Sequence, residues 1–145
     1  MENYKFRLQK LLDIRKDKEE ESKRVFREAQ VEKEKVEEKL SKLREDYNRY
    51  REVKPSESLV EQKLKHLYLN ALTSSINTTN IELKEKTDKL EEKRQVLKQK
   101  QVERKTVETL KDKQYAAFLK EQNEIEQRNN DEFALYGFMR TLERR

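Results

Sequence analysis

From Phe26 to Tyr50 the apolar side chains recur in steps of three and four. They are Phe26, Ala29, Val36, Leu40, Leu43, Tyr47 and Tyr50, with Lys33 in the slot where an apolar residue is missing. Further on the step is seven, through Leu69, Ile76, Leu83, Leu90 and Leu97. Both patterns hold one stripe on one side of an α-helix, and a seven-residue repeat keeps that stripe on a partner helix. Between them lies REVKPSESLVEQ, with the only proline, Pro55. Proline disfavours helix at the residue before it and removes a backbone donor. Ser58 and Glu61 then have the S-x-x-E spacing of a capping box. The pattern predicts one helix over about 4–52, ending near Val53, a turn over 53–58, and a second helix over about 58–140.

So short a connection makes the two helices antiparallel neighbours. The expected fold is all-α: a single domain over 1–145, built as an antiparallel two-helix coiled-coil hairpin with a longer second helix. With the fold point near Ser56, the numbers of paired residues sum to about 112. Leu43 then meets Leu69, Val36 meets Ile76, Ala29 meets Leu83, Ser22 meets Leu90 and Arg15 meets Leu97. Tyr4 pairs with Glu108, so the second helix overhangs beyond about 109, by on the order of 50 Å at 1.5 Å per residue.

Two stretches carry more apolar residues than a narrow seam requires. One is the opening of the second helix, with Leu64, Leu67, Tyr68, Leu69, Leu72 and Ile76. Leu69 and Ile76 serve the seam, while Tyr68, Leu72 and Ser75 spread onto an adjoining face. That face is either a wider core near the turn or a docking patch. The other is NNDEFALYGFMR, residues 129–140, at the overhanging end. Phe118, Ile125, Phe133 and Tyr136 either fold back on Tyr4, Phe6 and Leu8 or enter a cavity of another protein. Gly137, a poor helix former, is expected to mark where the helix weakens.

Composition narrows the function classes. Of 145 residues, 45% are charged and 32% hydrophobic, far from the roughly 25% and 45–50% of an ordinary domain. A thick core is therefore out of reach, whereas long helices suit the abundance of Glu, Lys, Leu and Arg. The net charge of +5 has its largest surplus at residues 84–113, with eleven cations against seven acids, but the signs alternate as on a solvated helix face. No basic patch interleaved with aromatics supports nucleic-acid binding. Cysteine is absent, which removes disulfides and thiolate metal sites. The single histidine, His66, and the single glycine leave no triad, zinc site or phosphate loop to build. No catalytic residue, cofactor or metal is expected. No apolar run is long enough to span a bilayer, and MENYKFRLQK lacks a signal-peptide core.

The order of YKFRLQKLLDIRKDKEEE, the Tyr47/Tyr50 pair, HLYLNALTSSI and DEFALYGFMR along the chain resembles the FliJ family of flagellar export proteins. The resemblance covers essentially the whole length. It implies a hairpin similar to the central stalk, or γ subunit, of rotary ATPases. It also implies a non-enzymatic role in bacterial type III export: binding the flagellar export ATPase hexamer, promoting its assembly and activity, and linking it to the cytoplasmic domain of the export-gate membrane protein. Export chaperones are further partners, and a generic coiled-coil scaffold or chaperone escort is the alternative. By position, ATPase binding falls on Phe6, Leu8, Leu11, Phe118, Ile125, Phe133 and Met139. Gate binding falls on Tyr68, Leu72, Ser75, Ile76 and Thr79, where Ser75 and Thr79 depart from a uniformly apolar face. The implied location is the cytoplasm, peripheral at the inner membrane, with a chain mostly monomeric when alone.

Overall fold

A computed structural model describes residues 3–52 and 54–144, so Val53 lies outside the described residues. Two helices make up the fold, α1 over Gln9–Tyr50 and α2 over Leu59–Glu143, of 42 and 85 residues. This is an all-α hairpin with a longer second helix. By contact the chain forms two compact units: Lys18–Lys100, and Met1–Asp17 with Gln101–Arg145.

In the unit of residues 18–100, burial follows the expected stripe of α1. Ala29, Val36 and Leu40 are buried, and Phe26, Lys33, Leu43 and Tyr47 are half-buried. On α2 the expected Leu69, Ile76, Leu83, Leu90 and Leu97 all turn inward. They form only half of the seam. The other half is Lys65, Leu72, Thr79, Lys86, Lys93 and Lys100, offset by three or four residues and mostly polar. Thr79 is 2% exposed, because its hydroxyl donates to the Ser75 carbonyl at 2.7 Å and so needs no water. The lysines lay their alkyl stems along the seam and carry their charge to its rim. There Lys86 and Lys89 meet Glu32 at 3.3 and 3.7 Å, and Lys39 meets Glu82 at 3.8 Å.

These contacts correct the expected register. Glu32 with Lys86 and Tyr50 with Tyr68 sum to 118, the Arg94 guanidinium over the Phe26 ring to 120, and Lys39 with Glu82 to 121. The expected sum of 112 assumed a symmetric fold point. Instead the connection climbs alongside the start of α2. It makes a turn with the Glu57 N–H donating to the Lys54 carbonyl at 3.1 Å, the geometry for which Pro55 is suited. Lys65 holds it there, its Nζ donating to the Glu52 carbonyl at 2.6 Å and to Glu57 Oε1 at 2.8 Å. The first turns of α2 therefore pass the end of α1 before pairing begins. The capping box forms as expected: the Glu61 N–H donates to Ser58 Oγ at 3.2 Å and the Ser58 N–H to Glu61 Oε2 at 3.4 Å.

In the other unit the expected helix start near Tyr4 is corrected to Gln9. Tyr4 and Leu8 are half-buried and Phe6 buried, while Lys5 and Arg7 are exposed. That two-residue alternation is the signature of extended chain. Phe6, Leu12 and Val107 form the core, with Tyr4 and Leu8 packed on it. The Gln9 N–H donates to the Phe6 carbonyl at 3.1 Å, which ends the extended segment. Arg15 Nη1 donates to the Glu103 carbonyl at 2.8 Å and Lys111 Nζ to Gln9 Oε1 at 2.6 Å. Gln9 with Lys111 sums to 120, Tyr4 with Tyr115 to 119 and Tyr4 with Phe118 to 122, so the N-terminal segment reaches Phe118 rather than Glu108. Gly137 does not interrupt α2, which continues to Glu143.

Candidate functional site

At the turn, within residues 18–100, Tyr50 and Tyr68 meet edge to face with centroids 5.2 Å apart. Beside them Arg49, Lys54, Glu57, Glu61, Leu64 and Lys65 line a groove of about 660 Å³. The hydrogen bond from Lys65 holds the Glu57 carboxyl below its ordinary value, and its other oxygen, Oε2, is buried with no partner. Leu59, Val60, Leu64 and Leu67 stand open to solvent, from 85% exposed at Leu59 to 58% at Leu67.

Three residues expected to bind the gate sit elsewhere than a free face. Leu72 and Thr79 are buried in the seam and Ile76 is half-buried there. Only Tyr68 and Ser75 face outward. The expectation that Leu72 spreads onto an adjoining face is thus corrected: it lies seven residues before Thr79 on the polar half of the seam. The open residues that the reading by position passed over are Leu59, Val60, Leu64 and Leu67. Their signal is apolar residues placed ahead of the first paired position, Tyr68 with Tyr50.

The second candidate surface lies in the unit of the two termini. Tyr4 packs its ring against Tyr115 at 5.1 Å and Phe118 at 5.3 Å, so Phe118 is half-buried. Phe6 and Leu8 are likewise turned inward, and Leu11 is 36% exposed. The structure therefore gathers Phe6, Leu8 and Phe118 into an internal cluster. It leaves Ile125, Phe133 and Met139 outside, at 39%, 74% and 49% exposure. Leu135, Tyr136, Phe138 and Leu142 are also exposed.

Beyond Phe118, α2 runs on to Glu143, about 37 Å at 1.5 Å per residue. Residues 133–142 hold one charge, Arg140. At about 100° per residue, Phe133, Leu135, Tyr136, Phe138, Met139 and Leu142 spread over roughly 220° of the circumference. A helix lying on one surface needs an apolar stripe of only about 100°. Ala134, Gly137 and Thr141 fill most of the remainder, and a Cβ added at Gly137 would meet nothing within 4 Å. Such a wrap suits enclosure on several sides. Just before it, residues 120–132 carry Glu121, Glu124, Glu126, Asp131 and Glu132 against Lys120 and Arg128.

Among the described residues, no group of three or more His, Cys, Asp and Glu is placed to hold a metal ion, and no helix is long and apolar enough to cross a membrane.

The chain is 26% identical over 141 residues to the Flagellar FliJ protein of Bacillus subtilis (strain 168), covering 94% of this chain and 96% of that protein. No solved structure matches it. The family model described as Flagellar FliJ protein matches residues 4–143, and with nearly the whole length matched the chain belongs to the FliJ family.

Proposed function

We propose that this flagellar export component is a non-enzymatic stalk whose α2 tip enters the central pore of the export ATPase hexamer. The observation that carries the reading is the apolar wrap on residues 133–142, at the end of a helix left uncovered beyond Phe118. A lone helix in water is only marginally stable, so the tip gains from any surface that surrounds it. Burying one Phe side chain is worth roughly 1.5–3 kcal/mol, and Phe133 and Phe138 are both exposed there. Ile125, Phe133 and Met139 then bear on the ATPase directly. Phe6, Leu8, Leu11 and Phe118 act by stiffening the root of the helix.

An asymmetric helix within a six-fold ring contacts its subunits unequally. It therefore biases their nucleotide affinities, by no more than the difference in contact free energy between subunit states. This promotes hexamer assembly and ATP hydrolysis without chemistry on the chain itself. The link to the export gate is proposed at the turn, through Tyr68 and Ser75 with the open Leu64 and Leu67. Leu72, Ile76 and Thr79 support that face from the seam. Attachment through the gate would hold the chain peripherally at the inner membrane.

The test is the ATPase rate of the purified cognate export ATPase. The full chain is expected to raise it, and a chain lacking residues 128–145 is expected to leave it at the basal level. A full chain without effect on rate or hexamer formation would end the proposal.

A further inference from the structure

Carboxylates are paired at some positions of α2 and open at others. Glu91 pairs with Arg94, and Glu108 with Arg104, three and four residues away. On α1, Glu21 and Glu28 both hold Arg24, and Glu38 holds Lys42. Glu85, Asp88, Glu92 and Asp112 on α2 make no ion pair among the described residues, and the same holds for the acids of the bare segment before the tip. Glu121, Glu124, Glu126, Asp131 and Glu132 make no ion pair among the described residues, though Lys120 and Arg128 are close in sequence. All five are exposed. At about 100° per residue Glu121, Glu124, Asp131 and Glu132 fall within about 100° on one side of the helix, and Glu126 lies apart from them. The uncovered end of α2 is thus an apolar plug behind an acidic segment, a one-sided collar, with three more negative charges than positive.

We infer that the surface receiving this tip is an apolar socket with a cationic mouth: residues 133–142 fill the socket, and Glu121, Glu124, Asp131 and Glu132 face lysines or arginines on one side of its rim. The inference rests on the reading that the tip engages a protein partner, and it adds the chemistry of that partner. Apolar burial supplies the affinity, since the plug has a single charge to desolvate, Arg140. The collar stays at the wet edge, where complementary charge mainly speeds encounter and selects the partner. A second copy of this chain is a poorer occupant. One more helix covers a single stripe and leaves the rest of the roughly 220° wrap in water. Aligned in parallel, it would also set collar against collar.

The experiment measures binding of the full chain to the cognate export ATPase at about 50 and about 300 mM salt, between which the screening length shortens from roughly 14 to 6 Å. Two variants accompany it. One reverses the collar, Glu124→Lys with Asp131→Lys and Glu132→Lys. The other spoils the plug, Phe138→Ser. All substitutions lie on exposed helix, and circular dichroism checks that helix content is kept. The expected wild-type affinity falls about tenfold between the two salts. Collar reversal is expected to weaken binding about tenfold at low salt and to flatten the salt dependence. Phe138→Ser is expected to weaken binding at both salts while keeping the salt dependence. Wild-type binding that ignores both salt and collar reversal overturns the cationic mouth and leaves tip binding standing. No binding by the wild type removes the underlying reading as well. A dimer in sedimentation that Phe138→Ser dissolves overturns the inference in favour of a second copy.

Discussion

The rings of Tyr50 and Tyr68 meet at 87°, 5.2 Å between centroids, so the last residue of α1 lies level with the tenth of α2. That one contact sets the pairing from the turn. Edge-to-face geometry of this kind is worth about 0.5–1.5 kcal/mol beyond the area it buries. The nine residues of α2 before Tyr68 consequently lie past the end of α1, where Lys65 carries the seam onto the connection.

A crosslinking pair reads this register directly. Cysteines replacing Leu43 and Ile76, whose numbers sum to 119, are expected to form an intramolecular disulfide. A pair replacing Val36 and Ile76 is not, because seven residues of helix displace it by about 10 Å, beyond disulfide reach. Non-reducing electrophoresis separates the two outcomes.

Lys65 is expected to hold the connection in its climbing path. Replacing it by Met keeps the alkyl stem but removes the donor to the Glu52 carbonyl and to Glu57. Protease cleavage within residues 51–58 should rise several-fold, with overall helix content unchanged. Unaltered cleavage would show that the path is set by Pro55 and the capping box alone.

The cation pair on Glu32 predicts a pH dependence. A hydrogen bond from Lys86, then the charges of Lys86 and Lys89, hold its carboxyl below the ordinary value. The contribution to stability is therefore complete above about pH 4.5 and is lost as pH falls through the lowered value. Wild type should melt above Glu32→Gln near neutral pH, and the gap in Tm should narrow as pH falls below about 4.5. A gap independent of pH would count against the ion pair as its source.

The N-terminal segment offers a pair of contrasting substitutions. Phe6→Ala removes a buried ring from the cluster with Leu12 and Val107. It should cost about 2–4 kcal/mol of local stability, seen as faster amide exchange at residues 9–15 and 104–111. Arg7→Ala, on the exposed side, should stay within about 0.5 kcal/mol of wild type.

Gly137→Ala should firm the tip. The added Cβ has open space, and the helical preference of Ala over Gly is worth about 1 kcal/mol. Helix content by circular dichroism should rise slightly, with tip binding retained.

What could be read from the residues follows from how each makes its contact. The α1 stripe was legible because aliphatic and aromatic side chains fill it, and the tip because Phe133 to Met139 crowd together where charge had dominated. Half of the α2 seam was not, since Lys65, Thr79, Lys86 and Lys93 are polar by name while their stems, or a hydroxyl turned back on its own helix, do the packing. The faces of Leu72 and Ser75 depended on register, and register on the path of residues 51–58, which no periodicity encodes. The extended start was visible in the alternation of Tyr4, Phe6 and Leu8, but the helical pattern that follows at Leu11 and Leu12 drew it into the same element.

Amide hydrogen exchange of residues 119–143, in the chain alone and with its export ATPase, addresses the role of the tip most directly. Exchange should be fast in the free chain and slowed at least about tenfold at residues 133–142 when the ATPase is added, with residues 59–68 unchanged. A complex that forms while the tip exchanges as fast as before would contradict the account.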